Sequence, residues 1–97
     1  MNGLKFEWDE SKNQLNQKKH GVSFEQAKTV FFDELARLIP DPDHSIGEER
    51  FILMGMSFKN NLLTVCHCER GHDTIRIISA RKADKIERKQ YEGDYYA

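Results

Sequence analysis

Residues 76–88 have the sequence RIISARKADKIER, in which a run of β-branched residues leads directly into a basic turn and a capped helix. The isoleucines favour a strand, and Asp84 with Glu87 forms a capping box at the start of a helix. A rigid strand end can hold an arginine such as Arg81 in a fixed position, which suits the binding of phosphate groups. The alternative interpretation is a solvated strand end followed by a helix with surface charges.

Length and composition predict a single domain over residues 1–97. The 97 residues are 38% hydrophobic and 32% charged, which is typical of one compact chain with a modest core. No apolar run approaches the roughly 20 residues that cross a membrane. The N-terminal residues also lack the apolar core of a signal peptide. We therefore expect a cytoplasmic protein without a membrane partner.

Charge is distributed unevenly along the chain. The net charge is only −1, but residues 1–49 hold 6 Lys and Arg against 10 Asp and Glu, whereas residues 50–91 hold 9 against 4. A segregated charge of this kind predicts one cationic face for an anionic partner, with acidic surface elsewhere.

The hydrophobic pattern predicts an α+β fold with a mostly antiparallel sheet, N-terminal helices and a short C-terminal helix. Asp9 and Gly21 mark the ends of a first helix, and a capping box at Ser23 starts a second helix. The predicted strands are 4–8, 35–39, 50–57, 62–69 and 74–80, and the predicted second helix is 23–33. The last three strands should form an antiparallel meander because short turn sequences connect them.

The first helix is very polar. Leu15 is its only large apolar residue, so we expect Trp8, Leu15 and Val22 to hold it in place. One face carries donors at helical spacing, which can bind phosphates and 2′-hydroxyls. That face consists of Lys12, Asn16, Lys19 and His20. The alternative is a solvated face whose cations complement the helix C-terminus.

A second pair of candidates lies on adjacent strands. His67 and Arg76 share a face of the sheet in one register and lie on opposite faces if the register slips by one residue, and the sequence leaves this open. Cys66 and Cys68 flank His67, but alternation points its imidazole away from both thiols. We therefore expect no metal site and no cofactor, because no cluster has the spacing of metal ligands.

The chain ends with an aromatic-rich segment, residues 91–96, that is poor in aliphatic residues. This composition predicts either a frayed terminus or a surface that becomes ordered at contact with a partner.

Two segments together resemble a known family. The pattern W-D-x-x-K-x-x-x-N-x-x-K-H-G from Trp8, a strand with Arg50 and Gly55, and the closing I-S-x-R-x-A-x-x-x-E-R are similar to the BrnT-type ribonuclease toxins of bacterial type II toxin–antitoxin systems. The resemblance implies a small RelE-like fold and a metal-independent endoribonuclease that arrests growth. It also implies a cognate DNA-binding antitoxin, with which the toxin would form a hetero-oligomer. The matching positions are Lys12, Asn16, Lys19, His20, Arg50, Arg81, Glu87 and Arg88.

Metal-independent cleavage of RNA needs a base, an acid and cations that offset charge on the phosphorane. We expect His20 to transfer protons, Arg81 and Arg76 to stabilise charge, and Lys19 to do either. The predicted RNA-binding residues are Lys12, Asn16, Arg50 and Arg88. Two rival hypotheses are a module that binds nucleic acid without cutting it and an interaction protein that docks a partner on its first helix.

Overall fold

The computed structural model describes residues 3–40 and 48–93, in which helices pack on a five-stranded sheet. The elements in chain order are β1 (Lys5–Glu7), α1 (Glu10–His20), α2 (Phe24–Lys28), a 3₁₀ helix (Thr29–Phe32), β2 (Arg37–Pro40), β3 (Arg50–Met56), β4 (Leu62–Arg70), β5 (Thr74–Lys82) and α3 (Lys85–Gly93). The predicted α+β class is confirmed. No helix within the described residues is both long and apolar enough to cross a membrane.

The sheet has the strand order β1-β5-β4-β3-β2. Strands β3 to β5 form an antiparallel meander, as the turn sequences predict; β2 also pairs antiparallel with β3, while β1 pairs with β5 in parallel at one edge. The β1 pairing ends where Glu7 lies opposite Arg76, so within residues 3–40 and 48–93 no strand lies beside the second half of β5 on that side. The β4–β5 register shifts between Cys66 and His67, which is a β-bulge.

One face of the sheet is covered by α1, α2 and the 3₁₀ helix, and it holds the main core. Strand alternation places Leu53, Leu63 and Val65 on this face, opposite Phe24 and Val30. The complete buried cluster consists of Val22, Phe24, Ala27, Val30, Leu53, Leu63, Val65, Ile75, Ile77 and Ala80. The capped second helix therefore rests on the sheet, as its apolar spacing indicates.

The other face is covered only in part, by α3. Tyr91 packs there with Met54 and Leu62, and its hydroxyl donates to Asp33 Oδ2 at 2.6 Å. The prediction of a frayed or partner-ordered surface was wrong for Tyr91, because its ring completes this second cluster. Glu92 and Gly93 complete α3, and the remainder of that segment, residues 94–96, lies outside the described residues.

The predicted helix 23–33 is split. It is α-helical only to Lys28, and residues Thr29–Phe32 form a 3₁₀ helix. The Thr29 hydroxyl donates to the Gln26 carbonyl at 2.6 Å, and the following residues are β-branched or aromatic, which lowers helix propensity. The tightened turn ends with a hydrogen bond from Asp33 N to Val30 O.

Helix α1 is held differently from the prediction. Asp9 and Gly21 cap it as expected, with Gly21 in the left-handed region at φ 71°. Leu15, however, is 65% exposed, whereas Asn13 and Asn16 are buried. Asn13 Oδ1 accepts from Phe24 N at 2.8 Å, which joins α1 to the start of α2. The helix is thus fixed by buried amide hydrogen bonds rather than by its leucine.

Candidate active site between α1 and the sheet

A cavity of about 410 Å³ lies where the C-terminus of α1 meets the incompletely covered face of the sheet. We call it the reaction cleft. Its lining consists of Lys19, His20, Arg50, Ile52, Thr64, Cys66, Ile78, Ser79, Ala80 and Arg81. Four residues predicted from the sequence therefore come together here from three separate elements, namely Lys19, His20, Arg50 and Arg81.

Asn16 joins α1 to the unpaired edge of β5. Its Nδ2 donates to the carbonyl oxygens of Val22 and Ala80, both at 2.8 Å, and its Oδ1 accepts from Ala80 N at 3.1 Å. The side-chain amide thereby satisfies the backbone of β5 where β1 has ended, much as a neighbouring strand would. Because Ala80 precedes Arg81, this contact fixes the last turn of α1 beside the arginine.

Arg81 is held by Glu87 of α3. Arg81 Nη1 and Nη2 donate to the two Glu87 carboxylate oxygens at 2.7 and 2.8 Å, which is the paired geometry that orients a guanidinium most firmly. Glu87 Oε1 also accepts from Thr64 Oγ1 at 3.2 Å and from Asp84 N at 2.9 Å, which completes the predicted capping box. The arginine therefore points in a direction set by a strand and a helix together.

The pair also fixes the charge state of both groups. The hydrogen bond from Arg81 lowers the pKa of Glu87 despite partial burial, which acts in the opposite direction. The same bond raises the pKa of Arg81. Both side chains are consequently ionised at neutral pH, so Arg81 is available as a fixed positive charge rather than as a proton donor.

Lys19 and His20 occupy the last turn of α1, next to the left-handed Gly21. Cations suit a helix C-terminus because its free carbonyls carry partial negative charge. Within the described parts of the chain, His20 makes no hydrogen bond or ion pair and is only partly exposed. An imidazole ring can both donate and accept a proton, so His20 has the chemistry of a proton-transfer group.

Two other predicted residues lie elsewhere. Arg76 Nη1 binds Glu7 Oε2 at 3.0 Å, at the β1 end of β5. Arg88 lies on α3 and pairs with Glu92 at 3.7 Å. Neither arginine lines the reaction cleft among the residues that the structure describes, so their proposed roles in catalysis and RNA binding stay predictions.

The register also separates His67 from Arg76. Cys68 pairs with Arg76 and His67 with Ile77, so the two side chains lie on opposite faces of the sheet. His67 is 1% exposed, and its ring packs edge-on against Phe31 at 4.9 Å between centroids. It is a buried residue and does not contribute to the lining of the reaction cleft.

Sequence reasoning missed the strand residues that form the floor of the cleft. Thr64, Cys66 and Ser79 line it because alternation and the bulge place them on the same face as Arg81. Only a known register could have identified them. For Asn16 a signal did exist, since two asparagines three residues apart within a helix are poor helix formers unless tertiary hydrogen bonds use them.

The cleft is cationic. Among the described residues, no carboxylate lines it, and no three His, Cys, Asp or Glu side chains lie close enough together to hold a metal ion. The cleft is therefore lined by three cationic side chains and the His20 imidazole. Thr64 and Ser79 add hydroxyl groups to the lining. This arrangement can bind an anionic phosphodiester and transfer protons to or from it.

Comparisons with known proteins agree with this chemistry. A family model described as the ribonuclease toxin BrnT of a type II toxin–antitoxin system matches residues 8–87. The crystal structure of the Brucella abortus ribonuclease toxin BrnT superposes with a TM-score of 0.66 at 25% identity, covering 84% of this chain and 99% of that chain. No curated protein matches the chain.

The fold and the family match together define a ribonuclease toxin of a type II toxin–antitoxin system. The chain belongs to the BrnT family of these toxins. Its substrate is accordingly RNA and its partner an antitoxin that neutralises it. The match ends at Glu87, so it includes every residue of the reaction cleft and excludes Arg88.

Proposed function

We propose that RNA is cleaved in the reaction cleft by a metal-independent transesterification in which His20 and Arg81 are the principal catalytic residues. The observation that supports this most is the convergence of His20, Lys19, Arg50 and Arg81 on one cavity. These four side chains lie on three different elements, so their proximity results from the tertiary fold and not from their spacing along one helix.

The reaction proceeds by attack of the ribose 2′-oxygen on the adjacent phosphorus. A base takes the 2′-hydroxyl proton, the new O2′–P bond forms, the P–O5′ bond breaks, and an acid protonates the leaving 5′-oxygen. The products are a 2′,3′-cyclic phosphate and a 5′-hydroxyl end. His20 performs one proton transfer, while Lys19 performs the other or adds positive charge.

Arg81 offsets the charge that develops on the phosphorane. Two of its five N–H groups bind Glu87, and a third makes at most a long 3.4 Å contact with the Lys82 carbonyl. Donors consequently remain for a phosphate oxygen while Glu87 keeps the guanidinium in place. Preorganised charge of this kind is more effective than a flexible cation, because it needs no reorganisation during the reaction. Arg50 positions the RNA strand from the start of β3.

The test is cleavage of a short RNA by the purified chain, with the ends of the products analysed. We expect new 5′-hydroxyl ends, equal rates with and without EDTA, and a loss of about 10² to 10⁴ in single-turnover rate for His20→Gln. His72→Gln is the matched control, because His72 lies in the exposed turn between β4 and β5. Activity that requires added Mg²⁺ or Zn²⁺ would overturn the metal-independent mechanism.

A binding module is the rival function, favoured by the same cationic lining. It predicts RNA affinity that falls steeply with salt but no new 5′-hydroxyl ends at any enzyme concentration. Equal cleavage by His20→Gln and wild type would instead place the chemistry outside the cleft.

For the partner, we propose a DNA-binding antitoxin that covers part of the reaction cleft in a cytoplasmic complex. An acidic or amphipathic segment that competes for Arg81 and its neighbours would exclude RNA from the cleft. Titrating the antitoxin against cleavage, with Lys12→Ala and Arg81→Ala as probes of affinity, tests this contact. Full inhibition with unchanged affinity for both variants would place the antitoxin elsewhere.

A further inference from the structure

A second cavity, of about 480 Å³, continues from the reaction cleft along the outer side of α1. The two cavities share Lys19, His20, Ile78 and Ser79 in their linings. The second one adds Lys12, Leu15, Asn16 and Lys18. We call it the flanking compartment. A molecule bound at His20 could therefore extend into this compartment without leaving the protein surface.

Packing in the core does not explain the presence of a leucine at position 15. It is 65% exposed on a helix that is otherwise polar and that is fixed by Asn13 and Asn16. Single exposed leucines are common, so exposure alone means little. Leu15 differs because it lines a cavity that joins the proposed reaction cleft.

Ile78 reaches the same cavity through the β-bulge. Cys66 pairs with Ser79 and His67 with Ile77, so Ile78 is the extra residue that has no partner on β4. Bulges next to functional sites redirect a side chain in this way. Leu15 from a helix and Ile78 from a strand thus supply the large apolar side chains of the flanking compartment.

The rim of the flanking compartment is cationic. Lys12, Lys18 and Lys19 border it, and no carboxylate contributes to its lining among the described residues. A lining that combines two apolar side chains with three lysines complements a ligand that carries a flat apolar unit and anionic groups. A nucleotide within an RNA strand has this combination, with the base on the leucine and isoleucine and the phosphates at the lysines.

We infer that the flanking compartment binds the unpaired base of a nucleotide next to the scissile phosphate, with Leu15 as the residue that selects single-stranded RNA. This inference rests on the proposed function, because the scissile phosphate is placed in the reaction cleft. A base within a duplex is stacked and paired, so it cannot lie on Leu15 and Ile78. The enzyme consequently requires single-stranded RNA on one side of the cleavage position.

The experiment uses oligonucleotides with one cleavable ribose in an otherwise 2′-deoxy strand, so that the cleavage position is fixed. Wild type and Leu15→Ser are compared on the intact strand and on strands with an abasic residue on either side of that ribose. Leu35→Ser is the matched control, because Leu35 is 54% exposed and lies outside both linings.

We expect Leu15→Ser to raise KM about five- to tenfold with kcat within twofold, and Leu35→Ser to behave as wild type. One abasic position should raise KM for wild type by a similar factor but add nothing for Leu15→Ser, because both changes remove the same contact. An unchanged KM for Leu15→Ser, or independent multiplication of the two effects, would overturn the inference.

A parallel measurement with Arg81→Ala shows whether such a result rejects only the base contact at Leu15 or also the proposed function of the reaction cleft. Loss of cleavage by Arg81→Ala together with an unchanged Leu15→Ser would reject the base contact alone. Normal cleavage by Arg81→Ala would reject the reaction cleft and, with it, the compartment beside it.

Discussion

The two ends of β5 each present an arginine paired with a glutamate, yet only one of them borders a cavity suited to catalysis. Arg76 binds Glu7 at 3.0 Å, where β1 pairs with β5, whereas Arg81 binds Glu87 at 2.7 and 2.8 Å beyond the end of β1, where β4 is the one strand that the described residues place beside β5. Ion pairing with a glutamate therefore does not by itself mark an arginine as catalytic. The two ends of β5 differ in the element that packs against their outer edge: β1 lies beside Arg76 but stops before Arg81.

At the Arg81 end that element is a helix. Because β1 stops opposite Arg76, the C-terminus of α1 can approach β5, with Asn16 satisfying the exposed backbone at Ala80. His20 is the last residue of α1, so the approach of this helix end places His20 beside β5. The short edge strand is thus the structural reason that His20 and Arg81 line the same cleft.

The largest expected effect sharpens the contrast between the two arginines. Arg81→Ala should lower the single-turnover rate by about 10² to 10³, because it removes a charge aimed at the phosphorane. Arg76→Ala should lower it less than about threefold. Both variants should lose only about 1 kcal/mol of unfolding free energy, since each pair is partly exposed. Equal losses of stability and activity in Arg81→Ala would show that the arginine is structural.

Asn16→Ala tests the hydrogen bonds that attach α1 to β5. Removing this side chain leaves the buried backbone groups of Ala80 and the Val22 carbonyl without partners, which should cost about 2 to 3 kcal/mol in urea unfolding. Gln14→Ala, on the exposed side of the same helix, should change the unfolding free energy by less than about 0.5 kcal/mol. Cleavage by folded Asn16→Ala should also fall, because His20 is no longer held beside Arg81. Unchanged stability would mean that the amide bonds are dispensable.

A smaller effect is expected for His67, on the opposite face of the sheet, where the protonation of this residue should make the unfolding free energy depend on pH. Burial lowers the pKa of His67, although a hydrogen bond with the Val65 backbone acts in the opposite direction. The unfolded state therefore binds a proton first as the pH falls below about 6.5. The unfolding free energy should then drop by up to about 1.4 kcal/mol per pH unit until the folded pKa is reached. His67→Leu should flatten this dependence and His72→Leu should not; an equal slope in all three proteins would contradict the assignment to His67.

Much of this architecture is predictable from local sequence, because capping boxes and strand alternation act over a few residues. Lys19 and His20 precede a C-capping glycine, and Arg81 follows a β-branched run, so their positions at element ends could be predicted. Their convergence on one cavity could only be inferred through a family resemblance, since no local rule sets the distance between α1 and β5.

The errors share one cause, which is that tertiary contacts decide the environment of a side chain. Asn16 looked like part of an exposed polar stripe but is 7% exposed, and Leu15 looked like the anchor of α1 but points outward. Tyr91 looked like part of a tail but hydrogen-bonds Asp33, far away in sequence.

The most direct test of the central claim is to locate bound RNA on the protein. A strand with a 2′-deoxy sugar at the cleavage position cannot react, and its titration can be followed by the NMR shifts of backbone amides. We predict the largest shifts at residues 18–21 and 78–82, where the C-terminus of α1 meets the Arg81 end of β5. The largest shifts at residues 5–7 and 74–76, around Arg76, would contradict the account.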